Sequence, residues 1–334
     1  MRRLLTMRLG RALRSWSHRP RRARHFNFAY DHVLGTSLEL LVTAARESVA
    51  QRAESEVLAE IDRLEPLLSG WSSTSELALF LATHDADVPV SAELAEVLQV
   101  SAQWRERTAG TFDPAVQSIV DRLRTGDADD AEALTLGALR EPLWLVDRAS
   151  GTARRLTRRA VTLDAIAKGY VVARAAARAR SVEGVADVLL NVGGDVQHFG
   201  EHAVTVGVAD PAAPAENVPP IAVVRLQNAA LATSGGYRRG FVLDGRRVSH
   251  IVDPRTGRPA ERIASASVIA PDCATADALS TAFSVMSPTE SVELADSLGD
   301  VGCLLVDTDG SVTTNRRWND RAIVAHPDTT RQRP

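Results

Sequence analysis

The sequence contains almost no lysine. Its 334 residues include 39 lysines and arginines together, and every one of these except Lys168 is an arginine. A chain with so strong a preference for arginine retains one ammonium group, directly before a glycine in the segment 166–170 (IAKGY). The guanidinium of arginine is planar, larger and bonded in a different pattern. The retained lysine suggests a position that arginine does not suit, and a leftover surface residue is the alternative interpretation.

Cysteine is also scarce, and long apolar runs are absent. Cys273 and Cys303 are the only two cysteines, which is too few for a disulfide framework, and we expect both to be reduced. No apolar run has the length of a secretory signal or a membrane-spanning helix, and no cysteine near the start offers a site for a lipid. We therefore expect a cytoplasmic protein.

The overall composition is that of a soluble globular protein with a large core. The chain is 45% hydrophobic and 24% charged, with a formal net charge of -3. Nothing in this balance points to nucleic acid as a partner.

The first 24 residues carry an unusual charge. They contain nine arginines and no acid, and six apolar residues recur at helical spacing opposite the arginines: Leu4, Leu5, Leu9, Ala12, Leu13 and Trp16. Two interpretations stay open, a disordered basic arm and a helix on an anionic membrane surface, and we favour the first. We expect an arm at 1–26, a single folded domain at 27–324 and a disordered tail at 325–334.

The pattern of apolar residues predicts a mixed α/β (α+β) fold with a β-sheet core flanked by helices. Helices and strands alternate too irregularly for a doubly wound sheet. The predicted helices cover 44–68, 92–107 (with Ser91 as its N-cap), 166–180 and 275–286. The predicted strands cover 28–42, 185–192, 203–209, 221–226, 241–243, 265–269 and 303–307, and 126–132 is expected to be a loop.

A carboxylate and a hydroxyl share one face of the last long helix. Asp277 and Thr281 are four residues apart in the segment TADALSTA, so they lie one helical turn from each other. Two hard oxygen ligands at this spacing suit Mg²⁺. A solvated polar face explains any single pair of this kind equally well, so the interpretation depends on the neighbouring motifs.

Asparagine, two glycines and an aspartate follow the end of a buried strand in the segment LNVGGD (190–195). Glycines there allow a ligand to approach the backbone closely, but a plain tight turn is the other interpretation. The segment does not match G-x-G-x-x-G, and the chain has no G-x-x-x-x-G-K-[ST] loop, so a dinucleotide-binding or P-loop fold is not indicated.

The motifs taken together resemble the ApbE family, flavin transferases that attach FMN to proteins. They occur in the family's order, as LGTSLEL (34–40), SELALF (75–80), TFDPAV (111–116), IAKGY (166–170), NVGGD (191–195), ATSGGYRR (232–239), HIVDPRTG (250–257) and VIAPDCATADALSTA (268–282). The resemblance implies one α/β domain that holds FAD between sheet and helices. It also implies a Mg²⁺-dependent reaction in which the FMN phosphate of FAD passes to a Thr or Ser hydroxyl of a target protein and AMP leaves.

The resemblance also assigns roles to residues of this sequence. The implied metal ligands are Asp277, Thr281, Ser280 and the carbonyl oxygen of Ala165. The implied cofactor-binding residues are Leu34, Thr111, Phe112, Asp113, Thr162, Lys168, Asn191, Gly193, Gly194, Asp195, Ser234, Tyr237, His250 and Ile251. His250 is the better candidate for the base that takes the proton of the acceptor hydroxyl, because an imidazole titrates near neutral pH, and Asp253 is the alternative.

Two departures from the family pattern leave alternatives open. Many members have an acid at the position of Thr162, and some have one at the position of Ser280; this chain has hydroxyls at both. A weaker metal site is compatible with a flavin-binding or carrier protein without transferase activity. A third alternative, an FAD pyrophosphatase giving FMN and AMP, differs only in whether water or a protein hydroxyl attacks.

Overall fold

The structure is a computed structural model. It describes residues 23–125, 141–213, 218–236, 240–243, 246–249 and 251–324. The predicted loop at 126–132, the predicted tail, most of the basic arm, Tyr237 and His250 lie outside the described residues.

The helices are numbered in chain order. They are α1 Glu47–Leu68, α2 Glu76–Ala82, α3 Ala92–Arg107, α4 Gln117–Thr125, α5 Asp164–Arg180, α6 Cys273–Phe283, α7 Pro288–Ser297 and α8 Arg316–Asn319, with a short 3-10 turn at Pro114–Val116 before α4.

The strands are β1 Arg24–Val33, β2 Thr36–Ala44, β3 Asp87–Pro89, β4 Trp144–Asp147, β5 Thr152–Arg155, β6 Val185–Val192, β7 Asp195–Gly200, β8 Val204–Val208, β9 Ala222–Leu226, β10 Ala229–Ser234, β11 Gly240–Leu243, β12 Arg246–Ser249, β13 Val252–Asp253, β14 Arg258–Pro259, β15 Ile263–Ala270, β16 Gly302–Asp307, β17 Val312–Thr314 and β18 Ala322–Val324.

An eight-stranded sheet forms the centre of the fold. Its order is β1-β2-β6-β7-β10-β15-β16-β17, and every neighbouring pair is antiparallel. One face packs on α1, α5 and α6 to form the main core. The other face packs on the three-stranded sheet β8-β9-β18 and on Trp318. Both faces are covered, which explains why β6 has few polar residues.

The predicted class, mixed α/β with a sheet flanked by helices, is confirmed. The helix predicted at 92–107 has the same bounds as α3, and Ser91 caps it by accepting a hydrogen bond from the Leu94 N–H at 3.1 Å. The strand 185–192 is likewise found as β6. Long amphipathic periods with a capping residue are the pattern that sequence interprets best.

Three predictions of strands need correction. The strand predicted at 28–42 is two strands, β1 and β2, which pair through a turn at Leu34 and Gly35 with φ of 49° and 74°. The sequence also did not predict β7 or β10. Three of the six residues of β7 are polar and they do not alternate regularly with apolar ones, and β10 is short and rich in alanine, which is uncommon in strands. Moreover β1 begins at Arg24, before the expected start of the folded part.

None of the helices in the described part of the chain combines the length and the apolar character that crossing a membrane requires.

Candidate active site

The residues of the sequence motifs meet at one end of the central sheet. The register places the turn at Leu34 beside the turn at Gly193, whose N–H donates to the Ser37 carbonyl at 3.1 Å. β7 leaves the second turn and pairs with β10, which ends at Ser234 on the same side. Segments that are far apart in sequence therefore lie at the same end of the sheet.

The segment NVGGD forms a two-residue hairpin turn between β6 and β7. Gly193 and Gly194 have φ of 62° and 100°, conformations that favour glycine. The Asn191 side-chain oxygen accepts from the Gly194 N–H at 3.0 Å. A Cβ on Gly193 would lie 2.7 Å from a methyl group of Thr36. The tight-turn interpretation thus accounts for both glycines, and the turn delivers Asp195 to the start of β7.

Lys168 forms an ion pair with Asp195. Lys168 lies in the second turn of α5, and its Nζ contacts Oδ2 of Asp195, which is 2% exposed. Burial lowers the pKa of the lysine, but the nearby Asp277 and Asp195 outweigh burial, so its pKa is raised. The site therefore holds a permanent positive charge on the only lysine of the chain.

Asp277 is buried beside the same ion pair. It lies on α6, is 5% exposed, and its Oδ2 accepts from the Gly169 N–H at 3.2 Å. Burial first, and then repulsion from Asp195, raise the pKa of Asp277 to about 8, although Lys168 opposes this. Two buried carboxylates thus face one lysine.

Three hydroxyls lie next to Asp277. Ser280 donates to the Asp277 carbonyl at 2.9 Å, and because a hydroxyl carries one hydrogen, it accepts from Ser234 at 2.8 Å. Ser234 also lies 3.3 Å from the Thr281 hydroxyl. With its own hydrogen given to Ser280, Ser234 accepts from Thr281. The lone pairs of Thr281 remain acceptors, whereas Ser280 is fully buried and bonded within the protein.

The loop at Thr111, Phe112 and Asp113 packs against the chain that leads into α5. The Thr162 N–H donates to the Pro114 carbonyl at 2.8 Å. Thr111 and Phe112 are buried. This loop is therefore fixed next to the first turn of α5, as a cofactor-contacting loop requires.

The carboxylate of Asp113 is used within the protein. Its Oδ1 accepts from the Ala115 N–H at 2.8 Å, and its Oδ2 lies 3.2 Å from Arg105 Nε and 3.5 Å from Arg159. Burial lowers the pKa of Arg159 against the pull of Asp113. Asp113 thus anchors the loop, and any contact with a cofactor would come from other atoms of the loop.

Asp253, the alternative base, is paired with Arg255. Nε of Arg255 donates to Oδ1 of Asp253 at 3.1 Å, and the terminal nitrogen donates to Oδ2 at 3.0 Å. Both oxygens of Asp253 thus already bond to a guanidinium within the protein. Ile251, two residues earlier, is half-buried, and its carbonyl accepts from the Ala260 N–H.

The donor set around Asp277 suits a magnesium ion on a phosphate. In the regions that the structure describes, no group of three His, Cys, Asp or Glu side chains is placed to hold a metal. Mg²⁺ that bridges a substrate phosphate needs only one or two carboxylates, because phosphate oxygens and water supply the rest. Asp277, the Thr281 hydroxyl and the Ala165 carbonyl, which the resemblance assigns as ligands, would form such a set.

Sequence reasoning missed three residues of this region. Gln197 on β7 is fully buried, and its Oε1 accepts from the Cys273 N–H at the start of α6. Trp71 is 88% exposed and follows Gly70, where a Cβ would lie 3.2 Å from Oδ1 of Asp164 in the first turn of α5. Gly169 touches α6. The signals available in the sequence were a glutamine within a short strand and a tryptophan in the polar segment SGWSSTS.

The fold is that of solved ApbE proteins. The crystal structure of the ApbE protein from Thermotoga maritima matches with a TM-score of 0.76 at 26% identity, covering 89% of this chain and 98% of that one. The apo flavinyl transferase ApbE of Pseudomonas stutzeri matches with a TM-score of 0.73 at 22% identity, covering 89% and 96%. The second match supports the fold alone.

The sequence profile of the ApbE family matches residues 34–305, and this chain belongs to that family. The FAD:protein FMN transferase of Klebsiella pneumoniae is 28% identical over 285 residues, 80% of each chain. That of Rhodobacter capsulatus is 32% identical over 295 residues, 84% of this chain and 55% of that protein. The resemblance drawn from the motifs is confirmed, as is the prediction of an enzyme of the transferase class.

Proposed function

We propose that this protein transfers FMN from FAD to a Thr or Ser hydroxyl of a target protein in a Mg²⁺-dependent reaction. The acceptor oxygen bonds to the phosphorus of the FMN half, the bond from that phosphorus to the bridging oxygen breaks, and AMP leaves with that oxygen. The observation that supports this proposal is a pair of buried carboxylates, Asp195 and Asp277, around one lysine in an ApbE fold. The hydroxyl of Thr281 lies on the same helix as Asp277.

We propose that Lys168 and a Mg²⁺ ion held by this chain's groups together neutralise the negative charge of the pyrophosphate. Lys168 presents a fixed ammonium from α5, and Asp195 directs it. Asp277, Thr281 and the Ala165 carbonyl would hold Mg²⁺, which supplies charge neutralisation on the phosphates. We propose that Ser280 supports Ser234 and Thr281 through its hydrogen bonds and is not itself a strong ligand.

The flavin and adenine rings need flat contacts. Leu34, at the β1–β2 turn, packs against the main core, which contains the buried Phe112, and we propose that both residues contact the rings. Trp71 offers an exposed indole beside the first turn of α5, and a planar ring stacked on it would bury apolar surface of both. We propose that the turns at Asn191, Gly193 and Gly194 contact the cofactor through backbone atoms.

The acceptor hydroxyl must lose its proton. We keep His250 as the proposed base, because Asp253 already holds Arg255 with both oxygens. We propose Tyr237, Ile251 and Thr162 as further cofactor contacts. A cytoplasmic location also stays a prediction, which cell fractionation tests.

Incubation with FAD, Mg²⁺ and a candidate FMN-accepting domain, followed by intact mass of that domain, tests the proposal. We expect the mass to rise by one FMN and AMP to appear in equal amount. Asp277→Asn should abolish both. Ser284→Ala is the matched control, because Ser284 is the C-cap of the same helix and its hydroxyl donates to the Ser280 carbonyl at 2.9 Å.

The other outcomes identify the alternatives. AMP and free FMN without any acceptor mass shift would indicate an FAD pyrophosphatase. FAD binding without AMP release, with several acceptor domains tried, would indicate a flavin-binding or carrier protein and would contradict the proposal.

A further inference from the structure

Gly169 lies in the interior of α5, where glycine is unfavourable. Glycine in a helix interior costs about 1 kcal/mol relative to alanine. A Cβ at this position would lie 2.3 Å from the Cys273 carbonyl oxygen, 2.7 Å from its carbon and 2.9 Å from the Cα of Ala274. These are backbone atoms of α6 and do not move aside alone. The two helices therefore touch at Gly169, and only glycine permits the contact.

The backbone N–H of Gly169 reaches the candidate metal ligand. It donates to Oδ2 of Asp277 at 3.2 Å. In an α-helix the same N–H donates to the carbonyl four residues earlier, which is that of Ala165. The donation to Oδ2 of Asp277 therefore competes with the helical bond to that carbonyl. One hydrogen thus connects two of the oxygens that we assign to Mg²⁺.

β7 holds both helices on either side of this contact. Asp195 pairs with Lys168, the residue before Gly169 on α5. Gln197, two residues along the same face of β7, accepts from the Cys273 N–H at 3.0 Å. Cys273 is the residue whose carbonyl touches Gly169. The strand therefore fixes the distance between α5 and α6 at the point where they meet.

We propose that Gly169 is a positioning residue for the cation. Its missing side chain lets α6 come close enough for the Gly169 N–H to hold Oδ2 of Asp277. With Oδ2 held in this way, Oδ1 of Asp277 and the carbonyl of Ala165 would be the oxygens left to hold the ion. This inference rests on the proposed function, because the ion is the Mg²⁺ of the transfer reaction.

The lone lysine makes one decisive measurement possible. Labelling with ¹³C-carbonyl lysine and ¹⁵N-glycine gives a single HNCO peak, because Lys168–Gly169 is the only Lys-Gly pair in the chain. We expect this peak to move by more than its linewidth in Asp277→Ala without metal. When Mg²⁺ is added to the wild-type protein in the presence of ADP, which carries a pyrophosphate, we expect the peak to move. In Asp277→Ala with ADP, we expect the peak to stay in place when Mg²⁺ is added.

A pair of glycine variants tests the steric part. Gly169→Ala should weaken Mg²⁺ binding in the presence of ADP by about 10- to 100-fold, as loss of a group that orients a ligand does, measured by calorimetry. Gly302→Ala is the matched control. Its Cβ would lie 2.9 Å from the Trp318 backbone nitrogen, in the contact between β16 and α8. It should lower the melting temperature and leave Mg²⁺ affinity unchanged.

The outcomes separate this inference from the proposed function. If the peak has the same position in the wild-type and Asp277→Ala proteins, or if Gly169→Ala binds Mg²⁺ with wild-type affinity, the role of Gly169 is overturned and the proposed function is not. Absence of Mg²⁺ binding by the wild-type protein overturns the metal site and the inference together. If Gly169→Ala does not fold, the peak measured in the wild-type and Asp277→Ala proteins decides.

Discussion

Replacing Lys168 with methionine removes the charge of the site and keeps much of the side chain's length. Asp195, 2% exposed, would then lose its cation. Breaking a buried ion pair by removing one partner costs about 3–5 kcal/mol. Because 31% of the Lys168 side chain is exposed, water relieves part of this, and we expect a loss of about 3 kcal/mol of unfolding free energy. At about 2 °C per kcal/mol for a chain of this size, the melting temperature falls by about 6 °C.

The loss should depend on pH with a defined sign. Burial already raises the pKa of Asp195, and the lysine opposes that rise. Without the lysine, the folded-state pKa of Asp195 lies further above its unfolded value of about 3.9. The penalty is therefore absent below that value and grows as pH rises toward the folded-state pKa. The difference in melting temperature between the two proteins should be small at pH 5 and full at pH 8.

Thermal unfolding followed by circular dichroism at both pH values measures this difference. Arg178→Met is the matched control on the same helix, since Arg178 pairs with Glu56 in an exposed contact at 2.7 Å worth about 0.2–1 kcal/mol. Lys168→Arg keeps the charge, so its loss at pH 8 should be smaller than that of Lys168→Met. Equal melting of wild type and Lys168→Met at pH 8, or a difference that does not change with pH, would refute the buried pair.

Four further predictions concern other residues. Asp277→Ala should lower AMP release from FAD by orders of magnitude at saturating Mg²⁺ and should not lower the melting temperature at pH 9, because the variant removes a buried charge; unchanged release would sink the metal assignment. Burial lowers the pKa of His198 to about 4, so stability is full above about pH 6.5 and falls by up to about 3 kcal/mol as pH drops toward 4. His198→Gln should flatten that loss in urea titrations, and an unaltered pH profile would contradict it. Trp71→Ala should weaken FAD binding in a fluorescence titration and leave the fold intact, whereas wild-type affinity would remove the stacking role. His250→Asn should still bind FAD but lose FMN transfer and its dependence on a group titrating near pH 6–7; intact transfer would place the base elsewhere.

Much of the architecture follows from local pattern. α3 has the predicted bounds because apolar residues at helical spacing and a serine cap act within one segment. β6 is apolar except for Asp187 and Asn191, because both of its faces are buried. The motif pair Asp277 and Thr281 predicted one polar face on α6, and the register of a helix requires it.

The pattern of polar and apolar residues does not predict contacts between segments that are distant in sequence. The turn at Leu34 has a positive φ on a leucine, which no propensity favours, so one long strand was predicted where the chain folds into β1 and β2. β7 was missed because its polar side chains face helices and not water: Asp195 meets α5, and Gln197 meets α6. The order of polar and apolar residues in a segment does not reveal what its polar side chains contact.

The sequence by itself determined which chemical groups exist: one lysine, a carboxylate and a hydroxyl one turn apart, and a glycine after the lysine. The tertiary structure decided what surrounds them. It buried Asp277 beside Asp195, so that the pKa of Asp277 rises to about 8, and it closed α5 on α6 at Gly169. Charge and shape of a side chain are local properties, whereas burial and the distance between two carboxylates depend on how strands and helices pack.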